Sequence, residues 1–555
     1  MTNSDSSHSE PSASLNESAL GGRCGRLAEV LLIVMVFFTL AGDPAPHVNE
    51  PHYLSRLKHY WNPDWCAGDL FLDSPEAHLV FAWAFGWVTR FMSLAATAWT
   101  GRLVVWTLLA WAWQRLSWRL VPVPLASVLS AALWVTLTRL GNFAGEWVVS
   151  GVEAKCFAYV FVLLGLRELV DRRWNRLWLW LGAASAFHAV VGGWSVVICA
   201  GVWLTDGRRR APLRAMLPGL VVGGLLALAG VIPALRLMAN QPPDIVAEAG
   251  RIYVFERLPH HLAILALPRD EAVERFVQHG LLLLAFLVVG HCVRSVAKSE
   301  RDPVPLDSGG LALIGRFAWG AVLLAAVGLA IELALWNDPL AAARLLRYYW
   351  FRMTDIAVPL AVALDAVSLL AVGTSRRRAW AVWGLVAALV LTGWHVSSTV
   401  RHRFDNPVPP ADRTRRDFAA WEDVCQWIAK NTRPDALFLT PRRAVSFKWR
   451  TGRPEVVTYK DIPQDARSMV EWHRRLHNIH YADGSTEPIA SLSDLGTDRI
   501  EALAREYDFD YVLTDRSRPL NLPIVYPNSA YSNAEYVVYA VRNENAPDRK
   551  PEPGQ

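Results

Sequence analysis

The sequence predicts an α-helical polytopic membrane protein of about eleven spans, followed by a C-terminal extracytoplasmic α/β domain. Three observations carry this. Of the 555 residues, 52% are apolar and only 19% are charged, where a soluble chain averages about 25% charged. The apolar residues gather in runs near 27–42, 100–118, 122–139, 154–170, 174–188, 190–206, 213–237, 278–297, 311–336, 348–373 and 379–397; a straight span needs ~20. After Trp394 the composition turns polar and mixed. The 26 tryptophans suit two membrane interfaces. A net charge of +5 without a long basic tract excludes nucleic acid as a partner.

Residues 1–24 are rich in Ser, Glu and Asn and read as a disordered cytoplasmic tail. Arg23 and Arg26 precede the first apolar run, and Asp43-Pro44 follows it instead of a small-residue cleavage site, so it reads as a span. The membrane domain then covers 25–398, with an outer loop 43–99 holding interfacial helices. In that loop, Tyr53, Leu54, Leu57 and Tyr60 recur at helical spacing, and the aromatic segment 79–92 suits the membrane surface. The basic clusters Arg115/Arg119, Arg167/Arg172/Arg173/Arg176, Arg208–Arg210 with Arg214, Arg294/Lys298/Arg301 and Arg376–Arg378 fall between alternate helices. All are cytoplasmic if 79–92 does not cross. This parity sets the N-terminus in the cytoplasm of a cell (inner) membrane protein and the tail outside.

Residues 399–417 form a linker and 418–545 the α/β domain. Phe418, Trp421, Cys425 and Ile428 mark a helix; Met469, Trp472 and Leu476 mark another; Ile500, Leu503 and Tyr507 mark a third, capped by Thr497. Strands are expected at 436–440, 456–459, 511–514 and 536–541, and a disordered tail at 546–555. The six cysteines show no CxxC; Cys66 and Cys425 are the two that could meet an oxidising compartment.

Three outer segments carry candidate chemistry. Glu50 begins the first interfacial helix, where it either serves the helix dipole or stands as a boundary carboxylate able to take a proton or hold a cation. Glu146, Glu153 and Lys155 lie between two spans, as an internal ion pair or as functional groups. Arg347 and Arg352 precede a late span among aromatics, either snorkelling or holding phosphate; Arg352 and Asp355 also have i,i+3 spacing. His188 sits in a tight outer turn, and 239–278 has the polarity of a lid. No P-loop, GxSxG or HExxH is present.

A first span, an outer loop with an early acid, a second span opening at Gly101-Arg102, a second acidic loop, a basic outer segment and an α/β tail resemble the integral-membrane glycosyltransferases of the C superfamily. The chain also resembles an uncharacterised family of large bacterial multi-pass membrane proteins with a domain of unknown function. Members of the superfamily commonly carry Asp or Asp-Glu in loop one; Asn49-Glu50 matches at Glu50 alone. The resemblance implies a bilayer-embedded, inverting enzyme that transfers sugar from a polyprenyl-phosphate donor to an acceptor. Glu50 would be the base. Arg347, Arg352, Lys155 and His188 would bind substrate. Glu50 with Glu146 and Glu153 would hold Mg²⁺, Mn²⁺ or Ca²⁺, the choice between the latter two acids staying open. The alternatives are a transporter or flippase using Glu332, which lies inside an apolar run, and a non-enzymatic envelope membrane protein.

Overall fold

The computed structural model describes residues 12–296, 306–482 and 484–541; Lys298, Arg301 and the expected tail 546–555 lie outside them. A helix stands at each apolar run: α1 (Ser12–Ala41), α3 (Leu94–Leu120), α4 (Ala126–Leu140), α5 (Ala154–Val170), α6 (Trp174–Phe187), α7 (Ala189–Leu204), α8 (Leu213–Arg236), α10 (Arg269–Val296), α11 (Ser308–Ala334), α13 (Thr354–Ser375) and α14 (Ala379–Asp405). Helix α1 begins at Ser12, inside the stretch whose composition reads as disordered.

Six of these helices are long and apolar enough to cross a membrane: Cys24–Ala41 of α1, then α8, α10, α11, α13 and α14. That is fewer than the eleven runs suggest. Helices α4 to α7 have only 14 to 17 residues each, and α3 carries Arg102, Gln114, Arg115 and Arg119. Large apolar side chains such as Leu225, Leu235, Leu281, Leu323 and Val390 are more than half exposed, as a lipid-facing surface requires. Helices α6 and α8 touch backbone to backbone. A Cβ on Gly223 would lie 2.3 Å from the Trp178 carbonyl oxygen, so only glycine fits.

The segment after α1 starts with α2 (Glu50–Trp61), which has Pro51 in its first turn, where a missing N–H costs nothing. Residues 79–90 form only a short helix and a 3₁₀ turn, with Trp83 and Trp87 exposed. The segment 239–278 is ordered as α9 (Pro243–Arg251), a π-helical turn Ile252–Arg257, two short turns and the start of α10. Helix α12 (Pro339–Leu346) precedes α13.

The tail holds α15 (Phe418–Asn431), β1 (Phe438–Leu439), α16 (Ala466–His480), α17 (Thr497–Tyr507), β2 (Tyr511–Asp515), β3 (Ile524–Tyr526) and β4 (Tyr536–Ala540). Sheet order is β1-β2-β4-β3; β1 runs parallel to β2 and the other pairs are antiparallel. Alternate residues serve opposite cores. Val512 and Val537 face α16 and α17, and Leu513 and Val538 face α15. The expected strand 456–459 is absent. Val456 N–H does reach the Phe438 carbonyl, but pairing stops at one bridge, Phe438 with Glu455. Ala249 and Ile252 join the core under α16, so the tail is packed onto the membrane domain.

Candidate functional site

Glu50 lies 52 residues before Arg102, and the two meet with no solvent access on either side chain. Arg102 Nε donates to Oε1 at 2.7 Å and Nη2 to Oε2 at 2.6 Å. The backbone N–H groups of His47 and Val152 donate to the same oxygens at 2.7 and 3.1 Å. Four donors fill this carboxylate, so it has no lone pair free for a substrate proton or a cation. The sequence reading of Glu50 as base and metal ligand therefore gives way to a structural one. The pair ties α2, α3 and the second outer loop together, and a guanidinium inside an apolar helix requires such a partner.

Lys155, Arg347, Arg352 and His188 do share one place. They line a cavity of about 310 Å³ where the helix ends meet the tail. Its walls come from the second outer loop, the end of α8, the turn after α9, the segment before α13, and residues 460–469 of the tail. Five cations line it, Lys155, Arg257, Arg347, Arg352 and Lys460, against one carboxylate, Glu153. Sequence reading missed the role of Lys460 and left Arg257 in a lid, because docking of the tail is what brings them here. The aromatic rings of Tyr53, Tyr253 and Tyr349 complete the lining.

The second loop is held in shape from below. Asp355 accepts the backbone N–H groups of Phe143, Ala144 and Glu146 at 2.7, 2.9 and 3.1 Å. It does not pair with Arg352, as the i,i+3 spacing allowed, because its oxygens are already occupied. Gly145 takes φ +74°, and a Cβ there would lie 2.7 Å from the His261 ring. The loop then presents two acids around one ammonium. Lys155 Nζ is 3.4 Å from Glu146 and 3.5 Å from Glu153, and 4.0 Å above the Trp147 ring. Glu146 is further tied to Arg352 at 3.1 Å and accepts from Tyr159 at 3.2 Å. Glu153 accepts from Asn49 at 2.6 Å and faces the cavity.

This arrangement does not fit the expected divalent ion. Lys155 occupies the space between Glu146 and Glu153, and Glu50 is sealed elsewhere against Arg102. Among the described residues, the group of His, Cys, Asp and Glu close enough to share an ion is Glu256, His473 and His477 instead.

Arg352 donates to His188 Nε2 at 3.2 Å and lies 3.9 Å over the Tyr349 ring. Burial, reinforced by Arg352, holds His188 well below the ordinary imidazole range, so it is neutral at pH 7. Burial and Arg257 lower Lys460 to about 8. Its neighbour Asp461 is fixed by Lys448 at 2.7 Å and His52 at 3.1 Å. Lys448 also meets Asp69 and Glu455, at 3.1 and 2.8 Å. Burial alone would lower the Lys448 ammonium, but the three carboxylates keep it well above its usual value. This buried cluster fastens the tail to the first loop and so sets Lys460 at the cavity edge. Among the described residues, Arg347 makes no ion pair within 4 Å; it lies 5.9 Å from the Tyr348 ring.

Glu332, the residue a transport path would need, accepts the backbone N–H groups of Leu265 and Ala266 at 2.8 and 3.1 Å and anchors that turn. A second cavity of about 720 Å³ lies on the other side of residues 142–150, lined by Glu146, His47, His395 and Arg139 among others. Cys66 and Cys425 are both free and buried.

Residues 419–479 match a family model described as a domain of unknown function (DUF6798). No curated protein matches the sequence. The fold is similar to the crystal structure of the Archaeoglobus fulgidus oligosaccharyltransferase in complex with zinc and sulfate. That match has 14% identity and a TM-score of 0.45, and it covers 88% of this chain and 67% of that one. It is also similar to ArnT from Cupriavidus metallidurans bound to undecaprenyl phosphate, at 13% identity and a TM-score of 0.25, covering 96% and 100%. At TM-scores below 0.5 neither likeness carries the chemistry, which rests on the cavity.

Proposed function

We propose that this chain is a membrane glycosyltransferase-like enzyme that moves a sugar from a polyprenyl-phosphate donor at the extracytoplasmic face of the cell membrane. The observation that carries the reading is the cavity lining, five cations around a single carboxylate. An anion is what such a site attracts, and guanidinium groups suit phosphate. Gly230 and Ala234 of α8, with Leu237 just after it, form an apolar wall beside those charges, where a lipid tail can enter. The donor class follows the resemblance of the outer loops and tail to the C superfamily.

On this reading the eleven helices at the apolar runs all cross, with α4 to α7 supported by their neighbours. The basic clusters then face the cytoplasm and the tail lies outside. Arg347, Arg352, Arg257 and Lys460 hold the donor phosphate, and Lys155 positions Glu153. Glu153 takes the proton of an acceptor hydroxyl as its oxygen attacks the anomeric carbon. The carbon–oxygen bond to phosphate breaks, its electron pair leaves with the phosphate, and the configuration inverts. The fixed cations neutralise the leaving charge without a metal ion. One positioned base contributes about 10²–10⁴-fold. In nanodiscs with a labelled polyprenyl-phosphate sugar, Glu153→Gln should lose turnover by about that factor while its melting temperature stays near wild type. Equal turnover in the variant, or no turnover by the wild type across acceptor classes, would contradict the reading.

A further inference from the structure

Glu256, His473 and His477 form a cluster outside the cavity lining. His473 and His477 are one turn apart on α16, and their ring centroids are 4.2 Å apart. Glu256 lies in the π-helical turn after α9 and reaches them from the membrane domain. Its Oε2 is 2.6 Å from His473 Nε2 and 3.9 Å from His477 Nε2. The three donor atoms all lie within 4.8 Å of one another. Both outer ligands are themselves oriented. Arg251 Nη1 donates to Glu256 Oε1 at 2.6 Å, and Tyr481 stacks on the His477 ring at 4.3 Å and 12°. A hydrogen bond to the ligating carboxylate, such as Arg251 gives Glu256, accompanies protein metal sites.

We propose that Glu256, His473 and His477 bind one zinc-class transition-metal ion, with water in the fourth position. Two imidazoles and a carboxylate suit Zn²⁺, whereas Mg²⁺ and Ca²⁺ take oxygen ligands. Tetrahedral zinc with ligands at ~2.0–2.2 Å sets donor atoms ~3.3 Å apart. The Glu256–His473 contact opens and the His477 contact closes by less than an ångström each, through side-chain rotation. The cluster is partly exposed, so the ion has an entry path and a water can remain on it.

The location gives the ion a structural consequence. Tyr253 and Arg257, in the same turn as Glu256, line the cavity, and so does Met469, one turn before His473 on α16. A shared ion therefore clasps two cavity walls that come from different parts of the chain. This inference does not depend on the sugar-transfer reading.

The test uses full-length protein in nanodiscs, stripped with a chelator and dialysed against Zn²⁺ alone, with metal content measured. The wild type should bind one Zn²⁺ per chain that His477→Ala and Glu256→Gln bind at least ~100-fold more weakly, since even loss of an outer partner costs about 10–100-fold. His477→Ala keeps the Glu256–His473 contact, which guards against loss of folding. Co²⁺ should give the intense visible bands of a four-coordinate site in the wild type only, and Zn²⁺ should raise the melting temperature in the wild type only. Zinc bound equally by wild type and both variants, or no stoichiometric zinc, would overturn the assignment and leave a plain Glu256–His473 ion pair.

Discussion

Two buried carboxylates near the helix ends of this protein have opposite fates. Glu50 meets one guanidinium with both oxygens, takes two backbone N–H bonds, and has no exposed surface. Glu153 takes a bond from Asn49, lies 3.5 Å from a shared ammonium, and fronts a cavity with four further cations. Both are acids at the start of a helix, Glu50 opening α2 and Glu153 preceding α5, and sequence alone does not tell their roles apart. What separates them is how many of their lone pairs the fold has already used. A closed one-to-one pair is a fastening; an excess of cations beside an open volume is a place for a substrate anion.

Breaking the fastening should give the largest effect. Arg102→Leu leaves Glu50 buried without its partner, and such losses cost about 3–5 kcal/mol. The double replacement Glu50→Leu/Arg102→Leu should recover only part of it, because the N–H groups of His47 and Val152 lose their acceptor; thermal or denaturant unfolding in detergent reads both. If instead Arg102→Leu leaves stability untouched, Glu50 is less confined than its contacts indicate.

The cavity should behave in the reverse way. Arg347 has no ion pair among the described residues, so Arg347→Ala should leave stability within about ±0.5 kcal/mol. It should weaken binding of a polyprenyl phosphate about tenfold, the scale of one hydrogen bond to a charged group. Equilibrium binding alongside a melting curve checks both halves.

The smallest effect is a pH dependence. Burial and Arg257 bring Lys460 to about 8. A lowered lysine is charged below that value and neutral above it, so phosphate affinity should fall severalfold as pH rises from 7 to 9. Lys460→Arg should flatten the profile, because a guanidinium keeps its charge throughout. His188 is held well below its ordinary range and stays neutral, so it should add no binding on modest acidification.

The comparison also shows what a sequence can and cannot display. The helices were legible because each contains a long apolar run, and the tail strands at β2 and β4 because each is a short run of β-branched and aromatic residues. Lys155, His188, Arg347 and Arg352 stood out as polar groups at the ends of such runs. Their meeting in one cavity follows from how α5, α7 and α13 are arranged in space, which no local pattern encodes. Glu50 was misread for the same reason, although a signal was present. Arg102 lies inside the largely apolar helix α3, and an arginine buried there needs an acid from a neighbouring segment. Lys460 carried no signal: it only follows the expected strand 456–459, and its place at the cavity is set by the contact of Lys448 with Asp461. His473 and His477 have the i,i+4 spacing of a metal pair, but their third member lies 217 residues earlier.

The most direct measurement is to irradiate the protein in nanodiscs with a photoreactive polyprenyl phosphate and map the adducts by mass spectrometry. The account predicts labelling at residues 230–237, 347–352 and 460–464, competed by unlabelled lipid phosphate and reduced in Arg347→Ala. Labelling centred on the Glu50–Arg102 niche, or spread over the lipid-facing helices and unchanged in Arg347→Ala, would contradict it.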